Sequence, residues 1–446
     1  MATVEDMANA REARAGRQRE LLEAYASPLI SFTMNIAGPI KTTPLIRAGF
    51  AVGRERILYT LRVLGAEVLA ERTTEAATGS ETILCFAGDA ATVKAAMVGL
   101  EEADPIGRLW DIDVLTPDGC KLERRQPRLC LLCGQQAALC ARSRTHSAAE
   151  LFARAEQLLR AFFEQEAARQ IAEDAVRAVL YELLVTPKPG LVDRRNNGAH
   201  TDMDVFTFAA SAAGLFPYFE TCALRGIRCA DGSALFEQLR APGVEAERRM
   251  LAATGGVNTH KGAIFSLGVL CAASGVLLGQ GTEAAPAPLS RTCASMVRGP
   301  LEAELRQLSH STARTAGQRM YQQTGMTGAR GEAAGGYPTA VAALDVLERA
   351  EKNGSPLNDA GVAALLSILT RAEDSNFVKR SSPQRRQEWI EQIRAMQGDG
   401  AVACAALLDE RFIAENISPG GSADLLAAAF FMQAVQGENP IPALYR

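Results

Sequence analysis

The chain carries no surplus of positive charge: 47 lysines and arginines face 51 aspartates and glutamates, for a formal net charge of −4. That balance argues against a general binder of nucleic acid or anionic membrane, although a local basic patch can still grip phosphates. Residues 1–25 are polar and charged with no apolar core that could serve a secretory signal, so export is not expected. The longest apolar run, residues 263–279, contains Ser266, Gly268, Ser274 and Gly275 and falls just short of a bilayer span, so it reads as a buried helix. Ten cysteines without regular spacing offer no disulfide framework and read as reduced thiols. Together these absences predict a cytoplasmic protein that works on small molecules.

What is present is a chain of 446 residues, 48% apolar and 22% charged, long enough for two or three soluble domains. Residues 11–26 have helical spacing ended by Ser27-Pro28, and residues 29–34 read as a strand. A helix over 44–65, paired strands at 66–71 and 81–86, a helix over 89–103 and a last strand at 108–115 follow. That order predicts a small α/β sandwich over residues 1–150.

In the last strand, GRLWDIDVLTPDG, alternation sets Asp111 and Asp113 on one face and Trp110, Ile112 and Val114 on the other, the core side. Two carboxylates so close repel each other unless a cation lies between them. Mg²⁺ together with substrate phosphates would satisfy both, the usual arrangement for moving a phosphate-linked group. The bland alternative is two solvated acids on an exposed strand face. Downstream, residues 121–145 hold six basic side chains, Lys121, Arg124, Arg125, Arg128, Arg142 and Arg144, against the single acid Glu123, enough to grip a polyphosphate. The same stretch spaces Cys130, Cys133, Cys140 and His146 in the manner of zinc ligands. The spacing is imperfect, and Leu131, Leu132 and the alanine-rich surroundings fit small buried thiols at least as well.

The strings LISFTMNIAGPIKTTPLIRAGFAVG, GRLWDIDVLTPDG and RLCLLCGQQAALCARSRTHSAAEL resemble the holo-citrate lyase synthase family, also called apo-citrate lyase phosphoribosyl-dephospho-CoA transferase. The resemblance implies a nucleotidyltransferase-like domain. It would transfer a triphosphoribosyl-dephospho-CoA group to a serine of the acyl carrier subunit of citrate lyase, releasing pyrophosphate. It also implies that Asp111 and Asp113 hold Mg²⁺ on the departing pyrophosphate while Arg124, Arg128, Arg142 and Arg144 neutralise its charge.

Residues 151–446 change character, with helix formers dominant and glycine-marked loops between apolar-periodic segments, and predict a mainly α-helical domain entered through one or two helices over 148–184. Five segments interrupt that pattern. In TPKPGLVDRRNNGAHTDMD, residues 186–204, prolines and glycines break any helix, while Lys188, Asp193, Arg194, Arg195, His200, Asp202 and Asp204 crowd together. An exposed linker is the alternative, and Thr201 with Asp204 also fits a capping box for a helix starting near Met203. GGVNTHKGAIFSLG sets Asn258, His260 and Lys261 before a buried helix whose first amides favour a phosphate. TGARGEAAGGY places Arg330 and Glu332 among glycines, and RAEDSNFVKR follows an apolar helix with Asp374, Asn376, Lys379 and Arg380. ISPGGSADLLAAAF opens a helix with Ser422 and Asp424, where ordinary capping is a sufficient explanation.

The strings TPKPGLVD, NNGAHTDMD, GVNTHKGAIFSLG, GARGEA and SPGGSADLLA together resemble the triphosphoribosyl-dephospho-CoA synthase family. There is one departure: where that family has Asp-Thr-Asn and then Arg-Gly-Gly, this chain has Asp374-Ser375-Asn376 and then Lys379-Arg380-Ser381. The resemblance implies that ATP and 3'-dephospho-CoA give 2'-(5''-triphosphoribosyl)-3'-dephospho-CoA with release of adenine. Breaking the adenine–C1' bond builds positive charge on the ribose. Carboxylates stabilise that charge, Mg²⁺ shields the triphosphate and a base takes the 2'-hydroxyl proton.

The expected roles are Asp202, Asp204 and Asp374 on metal or ribose, and Lys188, Lys261 and Arg330 on phosphates. Asp193, Asn258 and Asn376 would hold substrate, and His200, His260 or Glu332 would transfer protons. The chain thus reads as α+β, a small sandwich followed by a larger helical domain over 151–446, with the product of the second serving as substrate of the first. The same chemistry for the malonate decarboxylase carrier subunit and a non-enzymatic carrier-protein scaffold are the alternatives.

Overall fold

The computed structural model describes residues 2–229, 234–308, 316–396 and 400–436. Two units emerge, Met1–Glu164 and Gln165–Arg446, and the division falls inside one continuous helix, Ala148–Leu184.

In the first unit a capping box between Thr3 and Asp6 starts a helix at Val4–Tyr25, earlier than the apolar spacing suggests, because Thr3 and Asp6 satisfy the first free amides. Four strands follow: β1 (Leu29–Met34), β2 (Glu67–Ala76), β3 (Gly79–Ala87) and β4 (Trp110–Leu115), with helices Pro44–Val63 and Ala90–Ala103 between them. The sheet runs β2-β3-β1-β4 and every pairing is antiparallel. The predicted succession of strands and helices is therefore found, with the second strand longer at its end.

One face of this sheet is its core. Phe32 stacks on Phe50 at 4.8 Å and meets Trp110 edge-on at 6.4 Å. Gly53 lets the helix come this close, since a Cβ there would strike both the Phe32 and Trp110 rings. The opposite face brings Ser31 against Asp113 and Thr33 against Asp111, with Leu21 and Ile83 packed together nearby.

Strand β4 is an edge, and side chains close it. Glu101 accepts from the Ile112 amide at 2.9 Å, Lys94 donates to the Ile112 carbonyl at 3.1 Å and Arg128 donates to the Trp110 carbonyl at 2.6 Å. The outward Ile112 amide and carbonyl and the Trp110 carbonyl, which could recruit another strand, are thereby occupied.

The second unit contains no strand among its described residues. Its central helix is Lys261–Gly279, packed against Val205–Ile227 through Gly226 and Gly275, where any Cβ would collide with the opposite backbone. Gly275, one of the small residues that interrupt this apolar run, is thus a contact point between helices. By length and composition the helix could cross a membrane, yet 83% of its apolar window is buried inside the protein, as expected of a core helix.

Candidate active sites

The loop over residues 186–204 is folded by one acid of its own and one from a distant helix. Asp193 accepts from the Lys188 amide at 2.9 Å and from the Arg195 amide at 2.7 Å. Asp409 reaches in from helix Ala401–Ala414 to accept from the Gly190 amide at 3.0 Å and the Asn196 side chain at 2.8 Å. Gly190 has φ 66 and lies against the Ile417 carbonyl, so no side chain fits there. The Thr186–Pro187 bond is cis. Asp193, expected on substrate, is instead buried and spent on backbone amides.

That folding aims part of the loop into a cavity of about 490 Å³ within the second unit. Lys188, His200, Asn258, His260, Lys261, Glu332, Asp374 and Asn376 all line it, so eight expected residues from four segments meet in one place. Asp202, Asp204 and Arg330 do not line it. The Asp204 carboxylate caps helix Val205–Ile227, accepting from the Thr207 amide at 2.8 Å and hydroxyl at 2.7 Å. Thr207, not Thr201, is its partner in the capping box. Arg330 donates to Glu304 at 2.8 Å, and Asp202 lies 3.8 Å from the His200 ring with most of its side chain in water.

Among the lining groups the partners define the roles. Lys188 is buried against Glu182, giving Nζ to both its carboxylate and, at 2.8 Å, its carbonyl. Asp374 accepts from the Asn376 and Phe377 amides at 2.9 and 3.0 Å and from the Ser422 amide and hydroxyl at 2.7 and 2.9 Å. Both Asp374 oxygens are thus engaged by four donors from within the protein. His200 contacts the Ser418 hydroxyl at 2.8 Å, and burial together with Arg380 lowers its pKa. Lys261 is exposed and pairs with Glu247 at 2.6 Å.

Three groups remain poised. His260 contacts the Ser211 hydroxyl through Nδ1 at 2.7 Å, and burial, then Lys188, brings its pKa down to about 3. It is therefore a neutral imidazole, and its Nε2 is buried with no hydrogen-bond partner among the described residues. Burial raises the Glu332 carboxyl, which is held by Thr339 at 2.6 Å. Desolvation, followed by Glu182 and Asp374, pushes Asp424 well above the usual carboxylate range. Gly262 leaves the room for that carboxylate at the start of helix Lys261–Gly279. Glu182 was invisible as a site residue because it sits at a helical position in an apolar-periodic stretch, and Asp424 because it resembles a first-turn capping acid.

In the first unit the strand alternates as expected, with Trp110, Ile112 and Val114 buried and Asp111 and Asp113 half-exposed. Asp113 pairs with Lys121 at 2.8 Å and Asp111 lies 3.6 Å from Arg128. Arg128 also pairs with Glu101, whose carboxyl is raised by burial against the pull of Arg128. Arg124, Arg128 and the unanticipated Arg108 line a pocket of about 360 Å³ together with Glu101 and Glu102, and Arg124 pairs with Glu102 at 3.0 Å. Arg142 and Arg144 are exposed, on and just after the short helix Ala137–Ser143, and take no part in these ion pairs.

Residues 2–162 match the CitX family, described as apo-citrate lyase phosphoribosyl-dephospho-CoA transferase, and residues 168–441 match the CitG family, described as ATP:dephospho-CoA triphosphoribosyl transferase. Along nearly its whole length the chain is 34% identical to Protein CitXG of Haemophilus influenzae, covering 98% of this chain and 97% of that protein. The chain belongs to the CitXG family. A second relative, Protein CitXG of Leuconostoc mesenteroides subsp. cremoris, is 32% identical over 96% of both chains. The CitG part alone is 42% identical to a probable 2-(5''-triphosphoribosyl)-3'-dephosphocoenzyme-A synthase of Albidiferax ferrireducens, over 60% of this chain and 90% of that one. As a CitXG-type protein the chain is a transferase of citrate lyase prosthetic-group synthesis, with its cavity in the CitG part and its paired aspartates in the CitX part.

Proposed function

We propose that residues 151–446 join ATP to 3'-dephospho-CoA with loss of adenine, and that residues 1–150 pass the product to a serine of the citrate lyase acyl carrier subunit with loss of pyrophosphate. Both substrates would come from the cytoplasmic pool. In the first step the bond from adenine N9 to C1' breaks, its electron pair leaving with adenine. A bond from C1' to the 2'-oxygen of dephospho-CoA forms, and the proton lost by that hydroxyl balances the one adenine gains. His260, whose Nε2 has no hydrogen-bond partner among the described residues, is the imidazole placed to accept that proton. Glu332 or Asp424, both raised, suits the donor to adenine. Lys261, Lys379 and Arg380 are the cations at the cavity wall for the triphosphate.

The second step is a nucleotidyltransferase-like displacement on phosphorus by the serine hydroxyl. The half-exposed oxygens of Asp111 and Asp113 are hard donors on one strand face and fit a Mg²⁺ ion. Bound there, the ion would neutralise the leaving pyrophosphate. Arg124 and Arg128 would bind the phosphates themselves.

The observation that carries this reading is the convergence of lysine, imidazole and raised carboxyls on one cavity inside the CitG-matching region. Its test is chromatography of the products from purified protein, ATP, dephospho-CoA and Mg²⁺. Free adenine is expected, and ADP or AMP in its place overturns the first step. Adding the citrate lyase carrier should then increase its intact mass by the transferred group. A preference for the malonate decarboxylase carrier, offered in parallel, overturns the partner.

A further inference from the structure

The stretch after β4 gathers four donor atoms from Cys130, Cys133, Cys140 and His146, all within 4.8 Å of one another. The backbone is shaped to bring them there. Leu129 pairs with Gln136 across a turn, and Gly134 takes φ 72 inside it. Helix Ala137–Ser143 supplies Cys140, whose Sγ lies 3.4 Å from that of Cys133. Arg144, at φ 49, then turns the chain so that His146 returns to the sulfurs. The His146 Nε2 is buried with no hydrogen-bond partner among the described residues.

Free thiols alone, two buried and Cys133 exposed, account for the sulfur contacts but leave that nitrogen unsatisfied, at a cost of about 1–3 kcal/mol. A disulfide would use two sulfurs and abandon Cys130 and His146. A tetrahedral ion with bonds of about 2.0–2.3 Å uses all four donors and sets them about 3.5–4 Å apart, inside the 4.8 Å within which all four lie. We propose that Cys130, Cys133, Cys140 and His146 bind one structural Zn²⁺ ion. The ligand set is closed, so the ion shapes the chain instead of meeting substrate. It would fix the segment from which Arg128 reaches the Trp110 carbonyl at 2.6 Å and approaches Asp111 at 3.6 Å. The zinc assignment does not rest on the reactions proposed above.

Elemental analysis of the full-length protein, purified with a reductant, should find one zinc per chain. Cys133→Ser and His146→Ala should lose most of it, whereas Cys120→Ser, an exposed cysteine outside the cluster, should keep it. Because ligand variants can unfold the first unit, the wild type exchanged into Co²⁺ gives a second measurement. Thiolate-to-cobalt charge transfer and the intense visible bands of a tetrahedral ion are expected, and His146→Cys should keep them with a stronger thiolate band. Zinc well below one per chain in protein that also shows no such cobalt spectrum overturns the proposal. So does a Cys133–Cys140 disulfide in the isolated protein.

Discussion

The two candidate sites are held in opposite ways. In the first unit the acids stand on a strand, half open to water, each with a cation nearby. In the second, the imidazole and carboxyls line a cavity and are moved off their ordinary pKa values by burial. Carboxyl groups open to water beside cations suit charge that must be met, and desolvated groups suit protons that must be moved. The sharpest break of this contrast is Asp111→Asn, which removes the charge and keeps the shape. Carrier modification should fall about 10³-fold while adenine release holds at the wild-type rate, read by carrier mass and by chromatography on one sample. Joint loss of both activities would mean that the sites are not separable.

The second unit depends instead on a loop that admits little change. Gly190→Ala places a side chain at φ 66 against the Ile417 carbonyl and should cost about 3 kcal/mol, seen as a lower urea midpoint. An unchanged midpoint would show that the loop is not fixed there. Asp424→Asn tests the donor: adenine release should drop about 10²-fold, with transfer of externally supplied precursor unaffected.

How much of this was legible depends on how each site is built. A strand puts side chains two residues apart on the same face, so the string Trp110 to Val114 already contained the geometry of Asp111 and Asp113. The order of strands and helices was readable for the same reason, since each period and cap is local. The cavity was readable only as a set of polar interruptions, because nothing local says that residues 186–204 will face Asn258, Glu332 and Asp374. Asp193 and Asp374 show the limit. Both are acids in a polar motif, and only the folded backbone reveals that their oxygens are taken by amides.

The burial that distinguishes the cavity should also appear in its pH dependence. His260 has a folded pKa of about 3 against 6.5 for the free side chain, so between those values the unfolded chain holds the extra proton. Its contribution to stability is complete above 6.5 and is lost as pH falls, by up to about 1.4 kcal/mol per pH unit. Denaturant titrations from pH 7 to 4.5 should show a steeper decline for the wild type than for His260→Gln. Parallel curves would mean that the imidazole is solvated after all.

The smallest effect separates a cap from a ligand within the second unit itself. Asp204 gives its carboxylate to Thr207 at the start of helix Val205–Ile227, so Asp204→Ala should cost about 1 kcal/mol of stability. Asp204→Ser retains a capping oxygen but no charge, and it should restore most of that loss. If capping is its whole task, Asp204→Ser releases adenine at the wild-type rate, with an unchanged Mg²⁺ requirement. Wild-type stability combined with a raised Mg²⁺ requirement in this variant would put Asp204 back among the metal ligands, and the cavity would then have to open toward the helix start to admit it.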